Sequence, residues 1–122
     1  MHRSLSAARL AGAAAVVLAV LAVAGAALAA PARTTASSIK VTATEFHFAL
    51  SPATAKAGVV KFTVVNKGKL AHDFAIDGRM TAMIQPGKTG TLTITLKKGK
   101  YPYKCTVPGH AAAGMKGILV VS

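Results

Sequence analysis

Four residues in this 122-residue sequence carry side chains that bind soft metal ions. Cys105, His110 and Met115 fall within eleven residues, and His72 lies 33 positions before the cysteine. A thiolate, two imidazoles and a thioether are the recurring donor set of electron-transfer copper sites, because soft sulfur ligands favour Cu(I) and imidazole accepts either oxidation state. We therefore predict a copper site with these four residues as its metal ligands.

The spacing near the C-terminus allows one loop to supply three of the ligands. Cys105 ends a predicted strand, and Pro108-Gly109 can form a turn that brings His110 back beside the cysteine. Gly114 then frees the backbone before the methionine. The fourth ligand must come from another strand, and His72 is placed to provide it.

Each of these side chains has an ordinary structural explanation when taken singly. A lone Cys is commonly a small buried hydrophobe, and Met commonly fills gaps in a core. Together they favour a metal, with zinc as the next candidate after copper because Cys and two His bind zinc well. The single Cys excludes an intramolecular disulfide.

Three further residues could in principle bind metal. His47 lies between Phe46 and Phe48 on the opposite face of a predicted strand, so we expect it to be exposed. Met80 and Met83 are expected to pack in the fold, and a Cu(I)-binding pair is the alternative. Whether these two methionines form a second copper site is left open by the sequence.

The elements that must position the ligands are predicted to be β-strands. From Ile39 onward Val, Ile, Thr and Phe alternate with polar residues, and Gly, Pro or Asn interrupts the pattern about every 8 to 12 residues. The count and spacing predict an all-β, antiparallel sandwich. The predicted strands are Ile39–Thr44, Glu45–Leu50, Val59–Asn66, Ala71–Ile76, Thr89–Leu96, Tyr101–Cys105 and Ile118–Val121.

The apolar alternation changes phase early in the domain. Val41 and Ala43 share one face, whereas Phe46 and Phe48 fall on the opposite parity. We expect a bulge or a crossing between sheets near Thr44-Glu45, because either would reset the alternation.

The first residues are typical of an export signal. A basic start precedes an apolar stretch over residues 10–30 that ends in small residues, and cleavage is expected after Ala29. We predict a signal peptide over 1–29, a flexible linker over 30–38 and a copper-binding domain over 39–122. The alternative is an uncleaved membrane anchor, because the apolar stretch has 21 residues and a spanning helix needs about 20. Both alternatives place the domain in the periplasm or another extracytoplasmic space.

The charge of the chain is strongly positive, with a formal value of +12. After residue 29, thirteen Lys and Arg and three acidic residues remain, a net charge of +10. A nucleic-acid partner is not expected, because an exported chain without a basic run or interleaved aromatic residues does not fit one. A solvated cationic surface is the simplest interpretation. The alternatives are steering of an acidic protein partner and association with a membrane surface, through an uncleaved N-terminus or the positive charge.

The ligand residues and their surroundings resemble the cupredoxins, the blue copper proteins of the plastocyanin and azurin kind, and within them the small bacterial plastocyanin-like proteins. The resemblance covers nearly all of Ile39–Ser122. It includes Glu45-Phe46-x-Phe48, the strand Gly58-x-Val60-x-Phe62-x-Val64-x-Asn66 before His72, and the final Cys105, His110, Met115 and Gly117.

This resemblance implies a fold and a cofactor. The expected fold is a Greek-key β-sandwich of about seven to eight strands, the eighth lying near residues 79–84. His72, Cys105 and His110 would bind copper closely and Met115 axially. One copper per chain would alternate between Cu(I) and Cu(II).

The resemblance also implies a function, the transfer of single electrons between redox protein partners. Ala111–Ala113 and Pro108 would form a flat docking patch around His110, and lysines nearby would select partners with acidic docking surfaces. No enzyme activity is expected, because oxidases and nitrite reductases of this fold use several domains and additional His ligands, whereas this chain has room for one domain. The alternatives are a protein that carries or buffers copper and an interaction module without metal.

The sequence departs from the family pattern at two points. Many members have Asn after the first His ligand, where it ties the two ligand loops together, and this chain has Asp73. A carboxylate can accept the same hydrogen bonds but cannot donate, and its charge should favour Cu(II). The gap of four residues between Cys105 and His110 also differs from the gap of two in plastocyanin.

Overall fold

The computed structural model describes residues 36–122 of the chain. The predicted signal peptide, residues 1–29, and residues 30–35 of the predicted linker lie outside the described residues. Over the described range, no helix combines the length and the apolar character needed to cross a membrane.

Nine strands over residues 36–122 form two sheets, sheet A with four strands and sheet B with five. Three of the nine strands contain only two residues. The strands are β1 (Ser37–Thr44), β2 (His47–Ser51), β3 (Thr54–Ala55), β4 (Gly58–Asn66), β5 (Ala75–Ile76), β6 (Arg79–Met80), β7 (Thr89–Leu96), β8 (Gly99–Lys104) and β9 (Lys116–Val121).

Sheet A has the strand order β2-β1-β4-β7. The pairs β1–β2 and β4–β7 are antiparallel, whereas β1 and β4 run parallel with Val41 opposite Val64. Alternation sets the faces: β7 buries Leu92, Ile94 and Leu96 and exposes the threonines between them.

Sheet B has the strand order β3-β9-β8-β5-β6. Its central hairpin pairs Lys104 at the end of β8 with Lys116 at the start of β9. Lys104 also lies opposite Ala75 of β5. This register brings the loop that follows β8 and the loop that precedes β5 to the same end of the sheet.

The core lies between the two sheets and includes a cluster of aromatic rings. The Phe74 ring centroid lies 5.0 Å from that of Phe62, 5.3 Å from that of Phe48 and 5.4 Å from that of Tyr103. Burial of one such side chain stabilises a fold by about 1.5–3 kcal/mol. Phe74 therefore anchors the segment that begins two residues earlier with His72.

The predicted all-β sandwich is confirmed, with two differences in its pairing. The sheets are mixed rather than antiparallel, because β1–β4 and β3–β9 are parallel pairs. The expected bulge or sheet crossing near Thr44-Glu45 is wrong: β1 and β2 form a hairpin within sheet A, joined by the two-residue turn Glu45-Phe46. A turn resets the apolar alternation as a bulge would, which explains the phase change.

Two strand predictions also differ from the structure. The expected strand Ala71–Ile76 is reduced to Ala75–Ile76, because the preceding residues form a loop in which His72 makes only an isolated bridge with Ile84. The expected strand near residues 79–84 is the two-residue β6. The short β3 was not predicted, since two residues are too few to show an alternation.

Candidate metal centre

Three of the four predicted ligands lie on the loop between β8 and β9. Backbone hydrogen bonds close this loop: Cys105 N donates to Met115 O at 3.1 Å, and Met115 N donates to His110 O at 3.1 Å. Gly109 and Gly114 adopt φ values of 85° and 118°, a region that favours glycine. The turn chemistry predicted for this loop is therefore present, and the loop holds its two sulfur-bearing residues next to each other.

His72 reaches the same place from the loop between β4 and β5. Its backbone N–H donates to Ile84 O at 3.1 Å, and its carbonyl accepts from Ile84 N at 2.7 Å. The buried Asn66 side chain donates from Nδ2 to the carbonyls of Leu70 and Ile84, both at 2.8 Å. These bonds fix the course of the loop from the end of β4 to His72.

The three nitrogen and sulfur donors converge on one small space. His72 Nδ1 lies 3.1 Å from His110 Nδ1, and Cys105 Sγ lies 3.6 Å from His110 Nδ1 and 4.0 Å from His72 Nδ1. The circle through these three atoms has a radius of about 2.1 Å, close to the metal–nitrogen and metal–sulfur bond lengths of about 2.0–2.3 Å. The spacing of these three donors therefore fits a metal ion.

Met115, the fourth predicted ligand, has no exposed surface. Its backbone bonds to both Cys105 and His110, so it belongs to the same closed loop. Its thioether belongs to the buried apolar cluster of the domain. A thioether in the same donor set as two His and one Cys favours copper over zinc, so copper is the cofactor that this set of residues fits.

The two ligand loops are tied together beside the donors. Asp73 Oδ1 accepts a hydrogen bond from Thr106 N at 2.6 Å, and Asp73 Oδ2 accepts another from the Thr106 hydroxyl. The expectation that a carboxylate at position 73 accepts the loop hydrogen bonds is confirmed. Thr106, the donor of both, was not singled out from the sequence.

Glu45 lies on the other side of His72. Its Oε1 accepts from Lys69 N at 2.5 Å and Leu70 N at 2.8 Å, and it lies 3.5 Å from His72 Nε2. His72 Nε2 is buried and has no hydrogen-bond partner, so its 3.5 Å contact with Glu45 is an ion-pair distance and not a hydrogen bond. The hydrogen bond from the Leu70 backbone is the main cause that lowers the pKa of Glu45 below its ordinary value.

The Cys105 thiol is shielded from water. Burial raises the pKa of this thiol, and the backbone amides of Asp73 and Val107 act in the opposite direction. Metal binding requires the thiolate, so binding must release the thiol proton.

His110 is the predicted ligand nearest the surface. Its side chain retains 8% exposure, whereas His72 is fully buried and Cys105 almost so. The Phe46 ring lies edge-on to the imidazole, with ring centroids 5.1 Å apart and planes at 74°. Pro108 and Ala112 on the same loop are exposed. Among the four predicted ligands, the site is therefore nearest to solvent at His110.

The other candidate residues are all exposed. His47 is exposed as predicted. The packing predicted for Met80 and Met83 is wrong, since they are 54% and 49% exposed. Met80 borders a groove of about 800 Å³ on sheet B whose lining includes none of the four predicted ligands.

Two curated proteins are similar to parts of the chain. Auracyanin-B of Chloroflexus aurantiacus is 51% identical over 43 residues, which cover 34% of this chain and 18% of the relative. The copper-resistant cuproprotein CopI of Vibrio cholerae is 33% identical over 79 residues, 47% of each protein. The chain thus spans less than half the length of either relative.

A solved structure and a family model extend the similarity to most of the chain. A structure of auracyanin B superposes with a TM-score of 0.61 at 26% identity, covering 70% of this chain and 88% of that one. The family model described as a cupredoxin-like domain matches residues 13–121. The resemblance seen in the sequence is thereby confirmed, and the chain belongs to the cupredoxin-like family.

Proposed function

We propose that the protein is an exported type 1 (blue) copper protein that transfers single electrons between redox partners, with His72, Cys105, His110 and Met115 as its copper ligands. The observation that carries the proposal is the buried triangle of one sulfur and two nitrogen donors, with sides of 3.1, 3.6 and 4.0 Å. Bound copper would supply a one-electron cycle between Cu(II) and Cu(I).

The protein contributes a site whose ligands are held in place by hydrogen bonds within and between their loops. The backbone bonds between Cys105 and Met115 close one ligand loop, and the Asp73–Thr106 pair joins it to the other. Ligands held in this way move little when the charge of the site changes. Small rearrangement keeps electron transfer fast, which supports a carrier rather than an enzyme.

The surface supports docking of a partner at the His110 end. Pro108, Ala112 and Ala113 are exposed small or rigid side chains that allow close approach. Of the three acidic residues in the sequence, Glu45 and Asp73 accept internal hydrogen bonds, so the outer charge is mostly positive. We infer that the partner surface is acidic, because complementary charge accelerates association.

Addition of Cu(II) to the purified domain tests the site. The expected result is an intense blue thiolate-to-copper absorption band with one copper per chain. Cys105→Ser should keep the fold and lose the band. Absence of the band in the unaltered, folded domain would contradict the proposal.

Copper carriage without electron cycling is the second candidate, favoured by the similarity to the copper-resistant cuproprotein CopI. Exchange of copper with a chelator within minutes, together with the absence of reversible voltammetry, would support it. An interaction module without metal would instead bind its partners equally well after Cys105→Ser.

Export of the domain is also part of the proposal and rests on the signal pattern over residues 1–29. Mass spectrometry of the protein recovered from expressing cells should give a chain that begins at Ala30. A chain that retains residues 1–29 in the membrane fraction would indicate an anchor.

A further inference from the structure

The turn between β1 and β2 contacts both imidazoles of the donor cluster from outside. It consists of two residues, Glu45 and Phe46, and neither is among the proposed ligands. Phe46 has a φ of 39°, which is unfavourable for a residue with a side chain. A strained backbone of this kind persists only where the surroundings hold it, and it is often found at functional sites.

Glu45 faces the ring nitrogen of His72 that points away from the donors. His72 Nδ1 lies in the donor triangle, whereas Nε2 lies 3.5 Å from Glu45 Oε1. Nε2 is buried and makes no hydrogen bond, so the nearby carboxylate is the group that favours a proton on Nε2. The carboxylate is itself fixed, because it accepts from the amides of Lys69 and Leu70. A ligating histidine commonly directs its second N–H at such an acceptor, which sets its tautomer and ring orientation.

Phe46 contacts the other imidazole of the donor cluster, that of His110. Its ring lies edge-on to the imidazole at 5.1 Å, and its side chain is 38% exposed. The ring therefore covers part of the only ligand that reaches the surface and restricts its rotation.

We propose that the Glu45-Phe46 turn is the positioning element of both histidines: Glu45 fixes the tautomer of His72, and Phe46 holds the ring of His110. The proposal rests on the proposed function in that these histidines are taken as ligands. Its first test nevertheless uses the metal-free protein, so the two can fail separately.

The tautomer of His72 is read by ¹⁵N NMR of the metal-free domain. The unaltered protein should carry the ring proton on Nε2, and Glu45→Ala should lose that preference. Glu45→Gln should retain it, because the amide oxygen still accepts. Asp77→Asn is the matched control, since it removes one negative charge in an exposed turn. Asn also tolerates the backbone φ of 49° found at position 77.

Gly68→Ala displaces the same carboxylate without changing any charge. A Cβ at position 68 would overlap with the Glu45 carboxylate. This variant should therefore reproduce the tautomer change of Glu45→Ala. Circular dichroism of each variant would show whether a lost NMR signal is caused by unfolding.

Copper affinity gives the second measurement. Loss of an acceptor behind a metal-bound histidine typically lowers affinity about 10–100-fold, and we expect this range for Glu45→Ala in competition with a Cu(II) chelator. Glu45→Gln should restore most of the affinity. Phe46→Gly removes the ring and also relieves the backbone strain, so faster copper release from a variant of undiminished stability would assign the effect to the ring.

The outcomes separate the two proposals. A folded protein without a blue band would overturn the proposed function, and the His72 tautomer would still decide the role of Glu45. A blue protein in which Glu45→Ala and Gly68→Ala leave both the tautomer and the Cu(II) affinity unchanged would overturn the positioning role.

Discussion

Asp73 and Thr106 connect the two segments that supply the donor side chains. Asp73 directly follows His72, Thr106 directly follows Cys105, and the carboxylate of the first accepts hydrogen bonds from both the amide and the hydroxyl of the second. The two residues are 33 positions apart, and each is adjacent to a donor. This pair therefore fixes the separation of one imidazole from the thiolate.

Removal of this connection should destabilise the domain. Asp73→Ala leaves the Thr106 amide and hydroxyl without their acceptor, which costs about 1–3 kcal/mol of the free energy of unfolding for a buried group. Asp73→Asn keeps an acceptor for the amide, and the rotated hydroxyl can accept from the new Nδ2. We expect urea unfolding of the metal-free domain to show a larger loss for Asp73→Ala. Equal losses for the two variants would contradict a hydrogen-bonded tether.

The charge of Asp73 should also influence the reduction potential. A negative charge beside the site favours Cu(II) over Cu(I), so Asp73→Asn should raise the potential measured by voltammetry. Asp77→Asn removes the same charge from the exposed turn between β5 and β6 and should have a smaller effect. A fall in the potential of Asp73→Asn would show that the lost charge is not the dominant effect.

Met115→Gln tests the role proposed for the buried thioether. Gln has nearly the volume of Met and places a harder oxygen donor near the metal, so the site should persist with a lower potential. Voltammetry and the visible spectrum measure the two effects, and Met80→Gln, at an exposed methionine, is the matched control. Loss of all copper binding would show that Met115 is required to form the site rather than to tune it.

The donor residues and the accepting role of Asp73 could be predicted from the sequence, but the roles of Thr106, Glu45 and Asn66 in holding the loops could not. Cys, His and Met are few, and their spacing around Pro108-Gly109 indicates a loop. Glu45 accepts hydrogen bonds from backbone amides 24 and 25 positions away. Such contacts depend on the course of a loop, which the alternation of apolar and polar residues does not describe. Asn66 is a further example, since an Asn at the end of a strand is only a general sign of a loop anchor.

Strand prediction succeeded where side chains alternate over a long strand. The bounds of β7 match the prediction because Leu92, Ile94 and Leu96 alternate with threonine. It failed at the short strands β3, β5 and β6, which exist through pairing with their neighbours rather than through their own sequence. The exposed position of Met80 follows from the same cause, since β6 is an edge strand of two residues.

Ala112→Asp tests the docking surface. Ala112 is exposed on the loop beside His110, and a carboxylate there would repel an acidic partner. Electron transfer with the natural partner should slow in stopped-flow measurements while the blue band persists. Ala53→Asp introduces the same charge two residues after β2, at the end of that strand opposite the Glu45-Phe46 turn. This control should leave the rate nearly unchanged. Equal rates for both variants and the unaltered protein would argue against docking at His110.

Glu45 predicts how the stability of the metal-free domain depends on pH. Its pKa in the folded state lies below the ordinary value of 4.5, first because the Leu70 amide donates to it, so folding favours the charged form. The resulting stabilisation is fully present above about 4.5 and is lost as the pH falls through the lower folded pKa. Glu45→Gln cannot titrate, so its free energy of unfolding should fall less steeply over this acidic range than that of the unaltered domain. Urea unfolding at a series of pH values measures the two slopes, with Asp77→Asn as the charge-matched control. Parallel curves for Glu45→Gln and the unaltered domain would show that the Lys69 and Leu70 amides do not hold this carboxylate in solution.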